Sequence, residues 1–293
     1  MHIGIDLGGT KIELIALDNS GVELLRQRVA TPQGDYLGTV DTIVTLVTHA
    51  EQRLGATGTV GIGIPGTISR DSGIVKNANS TCLIGQPLQQ DIEHRLKREV
   101  RFANDADCFT LSEATDGAGQ NADIVFGVIL GTGVGGGITV CKQLLEGANQ
   151  ITGEWGHNPL PWPQQADLPS PPCYCGRSGC IETYLSGPGF SKLIGGELNL
   201  EKYWQQHHES EACDHYLDRL ARSLASVINI LDPHTIVLGG GLSNIERLYS
   251  EVPKRWGKYI FSDRVHTQIK RAVHGDSSGV RGAAWLWPLR SGN

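Results

Sequence analysis

The sequence predicts an α/β protein built from two lobes. Two short apolar stretches joined by a glycine turn open the chain, HIGIDL at 2–7 and IELIAL at 12–17. A second pair, IVFGVIL at 124–130 and ITVC at 138–141, encloses the run GTGVGGG. One strand–glycine–strand arrangement that occurs twice in the chain indicates a duplicated architecture, with one copy opening each lobe. Helical periodicity between the strands completes the alternation that is typical of the α/β class.

The remaining elements follow from the same kind of pattern. A third apolar strand is predicted at 235–241, where TIVLGGG also ends in glycines. Helices are predicted over 36–54 and 214–231, and the second begins at Asp214, a residue type that caps helices well. Its apolar face consists of Leu217, Leu220, Ala221, Leu224, Val227, Ile228 and Leu231.

Two further segments are assigned from turn and cap signals. Ser243 and Glu246 have the spacing of a capping box, which predicts the start of another helix. The run PWPQQADLPSPP at 161–172 is rich in proline and predicts a surface loop.

Composition limits the class of protein. Of 293 residues, 39% are hydrophobic and 19% charged, so a packed core is expected in one large domain or two ordinary ones. The net charge of -6 argues against a nucleic-acid binder, which needs a basic face. No apolar run approaches the roughly 18 residues of a membrane span, and MHIGIDLGGT contains no leader. We therefore expect a soluble, cytoplasmic protein that binds neither nucleic acid nor membrane.

A cluster of cysteines predicts a metal site. The chain has seven cysteines, an odd number that does not suggest a disulfide framework. In CYCGRSGCIE, Cys173, Cys175 and Cys180 offer three thiolates, and His157 lies sixteen residues before the first of them. Three cysteines and one histidine form a closed tetrahedral set that is typical of structural zinc. A reduced, metal-free loop is the alternative, whereas a redox role is disfavoured because the spacing is not Cys-x-x-Cys at a helix start.

The glycine runs predict a phosphate site. GTGVGG fits the dinucleotide pattern G-x-G-x-x-G, but a strand follows it where a Rossmann fold needs a helix. Glycine turns instead let backbone N–H groups approach an anion closely. An ordinary hairpin is the alternative for any single run, but the chain has three. The candidate nucleotide-binding residues are Asp6, Gly8, Gly9, Thr10, Lys11, Gly131, Thr132, Gly133, Gly239, Gly240 and Gly241. Among them, Asp6 suits a water-bridged Mg²⁺ and Lys11 suits phosphate oxygens.

The order of motifs resembles one family over essentially the whole chain. IGIDLGGTK, GIPG, NDA, GTGVGGG, GEWGH, CYCGRSGCIE and VLGGG occur as in sugar kinases of the ROK family. KNANST and the tail HGDSSGVRGAAWLWP look most like bacterial fructokinases and manno(fructo)kinases. The resemblance implies an actin- and hexokinase-like ATPase fold, with two ribonuclease H-like lobes and a cleft between them that binds ATP and sugar. It also implies a homodimer.

The resemblance gives the lobes approximate bounds. The N-terminal small lobe is expected at 1–120, with a C-terminal helix at about 279–290 packing back on it. The large lobe is expected at 121–293 and carries the zinc-binding loop.

The activity that the resemblance implies is ATP- and Mg²⁺-dependent phosphorylation of the 6-hydroxyl of a hexose, fructose first and also mannose. Asp105, in FANDADC, matches the family's catalytic base, and Asn104 is its neighbour at the sugar. For Asp105 alone, helix capping is the alternative.

The implied sugar contacts include both polar residues and a metal ligand. They are Asn79, Asn104, Glu154, His157 and Glu182. By the same resemblance, His157 meets zinc with one ring nitrogen and a sugar hydroxyl with the other. Cys82 and Asp107 depart from the residues that relatives often carry, tryptophan and asparagine.

Two alternatives remain beside a fructokinase. One is a kinase for another hexose, such as glucose or an N-acetylated hexosamine. The other is a non-catalytic sugar-binding regulator of the same family. The presence of Asp105 and the position of Asp6, which leaves no room before it for a DNA-reading helix-turn-helix, both argue against a regulator.

Overall fold

A computed structural model describes residues 1–76, 81–197, 199–275 and 278–288 of the chain. The chain forms two compact units, one of Met1–Asp116 with Asp276–Asn293 and one of Gly117–Gly275. Each unit has its own hydrophobic core. Among the described residues, no helix is both long and apolar enough to cross a membrane.

The strands and helices alternate along most of the chain. Up to Asp116 they are β1 His2–Leu7, β2 Lys11–Leu17, β3 Glu23–Ala30, α1 Tyr36–Leu54, β4 Thr59–Ile64, β5 Thr67–Ile68, β6 Val75–Lys76, α2 Leu88–Leu96, β7 Arg101–Asn104 and α3 Asp105–Thr115. The later elements are β8 Ile124–Leu130, β9 Val134–Val140, β10 Gln143–Leu144, α4 Glu182–Leu185, α5 Gly187–Leu193, α6 Leu200–His207, α7 Glu211–Leu231, β11 Thr235–Gly239, α8 Arg247–Trp256, β12 Gln268–Arg271 and α9 Ser278–Ala284.

The two units share one sheet topology. In the first unit the order is β3-β2-β1-β4-β7, with β2 antiparallel to both of its neighbours, β1 and β3, and with β4 and β7 parallel to β1. In the second unit the order is β10-β9-β8-β11-β12, with the same pattern of directions. The duplicated α/β architecture predicted from the glycine turns is therefore confirmed.

Helix α1 forms where the sequence predicts it, because both ends carry strong signals. The Asp35 side chain accepts a hydrogen bond from the Gly38 N–H at the start, and Gly55 ends the helix in the left-handed region with φ 63°. Between them, buried side chains recur at helical spacing, among them Val40, Ile43 and Val47.

Other boundaries differ from the prediction. Helix α7 begins one turn before Asp214, because the Ser210 side chain accepts a bond from the Cys213 N–H and so supplies the cap. The predicted capping box does not form. Glu246 makes no side-chain cap bond, and the Ser243 hydroxyl donates to the Gly240 carbonyl instead. Helix α9 ends at Ala284, short of the predicted bound.

Strand β9 also begins earlier than predicted, at Val134, so that three glycines of GTGVGGG lie within the strand. The turn proper is limited to Gly131–Gly133. The later loop GEWGH packs against this part of the strand, which explains why glycine occupies these positions.

Candidate active site

The first glycine turn joins β1 to β2 beside Asp6. The Gly8 N–H donates to the Lys11 carbonyl across the turn at 3.0 Å. The Thr31 hydroxyl donates to the Gly8 carbonyl at 2.8 Å, and the Gln33 amide donates to the Gly9 carbonyl at 2.6 Å. These bonds hold the carbonyl groups in place, while Gly9 remains exposed.

The negative charge of Asp105 acts on Asp6 within the first unit. Burial, followed by the negative charges of Asp105 and Glu13, raises the pKa of Asp6 to about 6, while the positive charges of Lys11 and Arg28 partly oppose this rise. The pKa of Asp105 is raised as well, because surrounding protein atoms displace water from its carboxylate even though the residue keeps an exposed surface. The first unit therefore presents two carboxyl groups of reduced acidity near its glycine turn.

At the start of α3, Asn104 caps the helix and Asp105 does not. Asn104 is the cap residue, and its amide oxygen accepts a hydrogen bond from the Asp107 N–H at 2.6 Å. The Asp105 carboxylate accepts from the next backbone N–H, that of Ala106, at 2.9 Å. Helix capping thus falls to Asn104, and the alternative interpretation of Asp105 as the cap is wrong.

A buried ion cluster beside the first turn escaped the sequence analysis. Glu13 is 1% exposed, and its carboxylate contacts Arg26 and Arg28, with the Lys11 Nζ at 3.9 Å. The signal for it was the single acidic residue inside the apolar run IELIAL. A buried carboxylate needs such partners, and the cluster fixes the strand from which Lys11 extends.

The second glycine turn, Gly131–Gly133, is held by Glu182. The Glu182 Oε2 accepts a hydrogen bond from the Val134 N–H at 2.9 Å, and a Cβ on Gly133 would lie 2.7 Å from that oxygen. The Gly187 N–H donates to the Gly131 carbonyl at 2.7 Å. Glu182 was predicted as a sugar contact, and one of its oxygens is already bonded to the turn.

The third glycine run follows β11 next to the same turn. Gly240 has φ 81°, and a Cβ there would lie 2.5 Å from the Leu130 carbonyl oxygen at the end of β8. Glycine is required at this position by both the backbone angle and the close approach. The three glycines 239–241 and the Gly131–Gly133 turn therefore sit at neighbouring strand ends of one sheet.

The loop GEWGH packs directly on β9. The Trp155 indole N–H donates to the Gly135 carbonyl at 3.0 Å, and the ring is buried. A Cβ on Gly156 would lie 2.1 Å from the Val134 carbonyl oxygen. This contact explains the glycines inside the strand, and it positions the exposed Glu154 and the half-buried His157 at the two ends of a rigid short turn.

His157, Cys173, Cys175 and Cys180 come together as the sequence predicts. One ligand atom from each lies within 4.8 Å of all the others. The Cys173 Sγ is 3.6 Å from the His157 Nδ1, and the Cys175 Sγ is 3.6 Å from the Cys180 Sγ. Ligands around a tetrahedral zinc, with bonds of about 2.0–2.3 Å, lie roughly 3.3–3.8 Å apart. The donor set and its spacing therefore fit zinc.

The backbone around the cluster brings its four residues together. The Ile181 N–H donates to the Asn158 carbonyl at 2.9 Å, which ties the histidine loop to the third cysteine. Gly176 and Gly179 adopt φ 86° and 74°, as the tight turns between the cysteines require. The second nitrogen of His157, Nε2, lies 3.0 Å from the Tyr174 hydroxyl.

The proline-rich loop is anchored by buried charges, which the sequence analysis missed. Asp167 is 3% exposed, and its carboxylate accepts from Arg219 at 2.7 Å and from Arg222 at 2.9 Å. Burial alone would raise the pKa of Asp167, but hydrogen bonds from the Gln164 N–H and the two arginines lower it. The segment leading to Cys173 is therefore fixed to α7 and is more than a surface loop.

The predicted site residues fall in both units. Asp6, Gly8, Gly9, Thr10, Lys11, Asn104 and Asp105 belong to the first unit, and Gly131, Thr132, Gly133, Glu154, His157, Glu182, Gly239, Gly240 and Gly241 to the second. Asn79 lies outside the described residues. Cys82 is half-buried in a short 3-10 turn, Thr81–Leu83.

Two β-sheets of one topology, each with a glycine turn between its first two strands, define the actin- and hexokinase-like class of two-lobed fold. The ROK family profile matches residues 2–290, and the chain belongs to the ROK family. It is 42% identical over 306 residues to an N-acetyl-D-glucosamine kinase of Yersinia pseudotuberculosis, with 98% of each chain covered.

Solved structures of the same family superpose over nearly the whole chain. The ROK hexokinase of Thermus thermophilus has a TM-score of 0.84 and 26% identity, with 97% of each chain covered. A ROK family glucokinase of Streptomyces griseus, in complex with glucose and AMPPNP, has a TM-score of 0.72 and 29% identity, covering 97% of this chain and 98% of that one.

These comparisons confirm the predicted family and fold class. They do not support fructose as the preferred sugar, because the curated relative at 42% identity is named for N-acetyl-D-glucosamine. The alternative of an N-acetylated hexosamine is nearer to what they indicate.

Proposed function

We propose that the protein transfers the γ-phosphoryl group of ATP to the 6-hydroxyl of a hexose, with N-acetyl-D-glucosamine as the first acceptor to test. The observation that carries this proposal is the 42% identity, over 98% of both chains, to a kinase for that sugar. The glycine turns and acidic residues described above provide the groups that such a reaction needs.

On the nucleotide side, phosphate oxygens are bound by backbone N–H groups of the two glycine turns and by Lys11. Glycine permits this close approach, and Lys11 adds a positive charge. Asp6, in its ionised form, would hold Mg²⁺, and the metal ion would supply positive charge to neutralise the phosphates.

Asp105 acts as the general base that accepts the proton of the sugar hydroxyl. A base is most effective when its pKa lies near the working pH, and the raised pKa of Asp105 moves it in that direction. Its carboxylate is free of the capping role, which Asn104 performs. Asn104 can still offer its amide N–H groups to the sugar.

On the sugar side, Glu154, His157 and Glu182 bind hydroxyl groups, and Asn79 is proposed as a further contact. His157, Cys173, Cys175 and Cys180 would hold a zinc ion in a structural role. Zinc there would join the loop that carries Glu154 to the segment that begins α4, so that both sides of the sugar site would keep their geometry.

Fructose is the second candidate acceptor, with mannose beside it. KNANST and HGDSSGVRGAAWLWP resemble segments of bacterial fructokinases and manno(fructo)kinases, and this likeness keeps fructose in the comparison.

A coupled assay of ADP release tests the proposal with N-acetyl-D-glucosamine, fructose, mannose, glucose and N-acetylmannosamine. We expect Asp105→Asn to lower kcat by about 10²- to 10⁴-fold, the usual contribution of a general base. Asp107→Asn, in the same helical turn, serves as the matched control and should stay within about tenfold of the wild type.

The ranking of kcat/KM decides the sugar. A higher value for fructose than for N-acetyl-D-glucosamine would reverse the order proposed here. No phosphorylation of any of the five sugars would refute the kinase itself, and full activity of Asp105→Asn would refute the assigned base.

A further inference from the structure

His157 has a hydrogen-bonding partner on each of its two ring nitrogens. Nδ1 faces the proposed zinc ligands, 3.6 Å from the Cys173 Sγ, while Nε2 lies 3.0 Å from the Tyr174 hydroxyl. The two rings meet edge to face, with centroids 5.2 Å apart and an angle of 85°. Tyr174 stands between two of the cysteines in the chain, so the loop that supplies the thiolates also supplies this phenol.

The contact with Tyr174 has the chemistry that a histidine ligand requires. A histidine that binds a metal through one nitrogen usually bonds to an outer partner through the other, which fixes the orientation of the ring. The Tyr174 phenol takes that position here. However, it occupies the same nitrogen that the proposed sugar contact of His157 would use.

The phenol can leave this position easily. Tyr174 is 84% exposed, more than any other tyrosine in the described part of the chain. Moving away from His157 therefore requires the loss of only one neutral hydrogen bond and of little buried area.

We propose that Tyr174 is a positioning residue that occupies the His157 Nε2 when no sugar is bound and yields it to a sugar hydroxyl. This inference rests on the proposed function. In the sugar-free protein the phenol keeps His157 oriented toward the zinc. In the complex the sugar takes over that task, and so the phenol and the sugar compete for one nitrogen.

The competition predicts two effects of Tyr174→Phe. The variant keeps the ring but loses the hydroxyl, so the sugar no longer displaces it, and KM for the sugar should fall by about two- to tenfold with kcat unchanged. Without its outer partner, His157 should hold zinc less well, and a chelator should remove zinc about tenfold faster.

The same competition predicts how sugar affects zinc release. Saturating sugar should slow release strongly in Tyr174→Phe, because the sugar supplies the missing partner of Nε2. In the wild type it should change the rate little, because one partner merely replaces another.

The experiment combines steady-state kinetics with zinc release measured by a chromogenic chelator, on the purified zinc-loaded protein. Tyr203→Phe is the matched control, since Tyr203 also lies against a histidine, His207, at a centroid distance of 4.8 Å but outside the cysteine cluster. The control should change neither quantity. An unchanged or raised KM in Tyr174→Phe, or zinc release at the wild-type rate, would overturn the inference.

The two proposals fail in different ways. If no sugar is phosphorylated by the wild type, the proposed function is wrong. If the wild type phosphorylates a sugar but Tyr174→Phe behaves like Tyr203→Phe, the kinase stands and the role of Tyr174 falls.

Discussion

At the scale of single residues, the ionised Asp6 carboxylate lowers the stability of the folded protein at neutral pH. Its pKa of about 6 exceeds that of an unfolded aspartate, 3.8, so the folded protein binds a proton more tightly at this site than the unfolded chain does. The contribution of Asp6 to stability is therefore complete below pH 4 and is lost as the pH rises to about 6. At neutral pH, the raised pKa of Asp6 lowers the free energy of unfolding by about 3 kcal/mol.

Asp6→Asn should therefore stabilise the protein at pH 7.5, by up to about 3 kcal/mol, and should have no such effect at pH 4. Urea unfolding at both pH values, without Mg²⁺ or nucleotide, measures the difference. We expect the same substitution to reduce kinase activity, because the ionised carboxylate is the proposed partner of Mg²⁺.

Asp18→Asn provides a control of opposite sign. Hydrogen bonds from the Ser20 hydroxyl and from the Val22 N–H lower the pKa of this exposed aspartate. Its contribution is present above pH 4 and disappears as the pH falls, so Asp18→Asn should destabilise the protein at pH 7.5. A stability difference for Asp6→Asn that does not depend on pH would show that its pKa is not raised.

At the scale of elements, glycines allow α9 to pack closely in the first unit. A Cβ on Gly61 of β4 would lie 1.9 Å from the Ala283 carbonyl oxygen, and one on Gly4 of β1 would lie 2.1 Å from the Val280 carbonyl oxygen. From α9 itself, Gly282 approaches the Cys108 carbonyl of α3 equally closely. The helix thus rests on backbone at three points, with no side chain between.

Gly61→Ala should consequently destabilise the protein by about 2–3 kcal/mol, because the added methyl group meets backbone that cannot move freely. Gly257→Ala is the control: φ is -54° there, and a Cβ would meet nothing within 4 Å. That variant should be neutral or more stable by up to about 1 kcal/mol. The denaturant midpoints of the two variants measure this difference. Equal stability of the two variants would mean that β4 and α9 can move apart without any loss of folding free energy.

The cysteine loop makes a second prediction at this scale. Cys175→Ser removes one of the four proposed zinc ligands, so the variant should bind less zinc, melt at a lower temperature and show a sugar KM raised about tenfold or more. Cys141→Ser, an exposed cysteine of the same unit outside the cluster, should leave all three unchanged. Zinc content, thermal melting and kinetics provide the measurements. Wild-type melting and affinity in Cys175→Ser would argue against a structural zinc.

At the scale of the whole molecule, the first unit is completed by the end of the chain. All strands of its five-stranded sheet precede Asp116 in the chain, yet α9 follows the entire second unit. Val280 and Ala283 of this helix are buried, as is Trp285 just after it. The first unit therefore cannot complete its core until the second has been synthesised.

Truncation after Gly275 should destabilise the first unit selectively. Losing the buried Val280 and Trp285 side chains removes about 3 kcal/mol or more. Hydrogen exchange should speed up in β1 and β4 and remain slow in β8 and β11. Truncation after Pro288 keeps α9 and should leave all four strands protected. Equal loss of protection in β8 and β11 would show that the second unit also depends on this segment.

The sequence by itself determined the features that depend on local pattern. The paired strands around GGTK and GTGVGGG, helix α1 and the proposed zinc ligands, one histidine and three cysteines, follow from short stretches of sequence, since turns, caps and ligand chemistry are encoded over a few positions. The family and the fold class follow from the order of such motifs.

Only the tertiary structure decided which distant residues meet. Glu182 bonds to the second glycine turn, Arg26 and Arg28 neutralise Glu13, and Asp167 is buried between two arginines of α7. These contacts join segments far apart in the chain, and their energies depend on burial and on distances of a few ångströms, which no local pattern records.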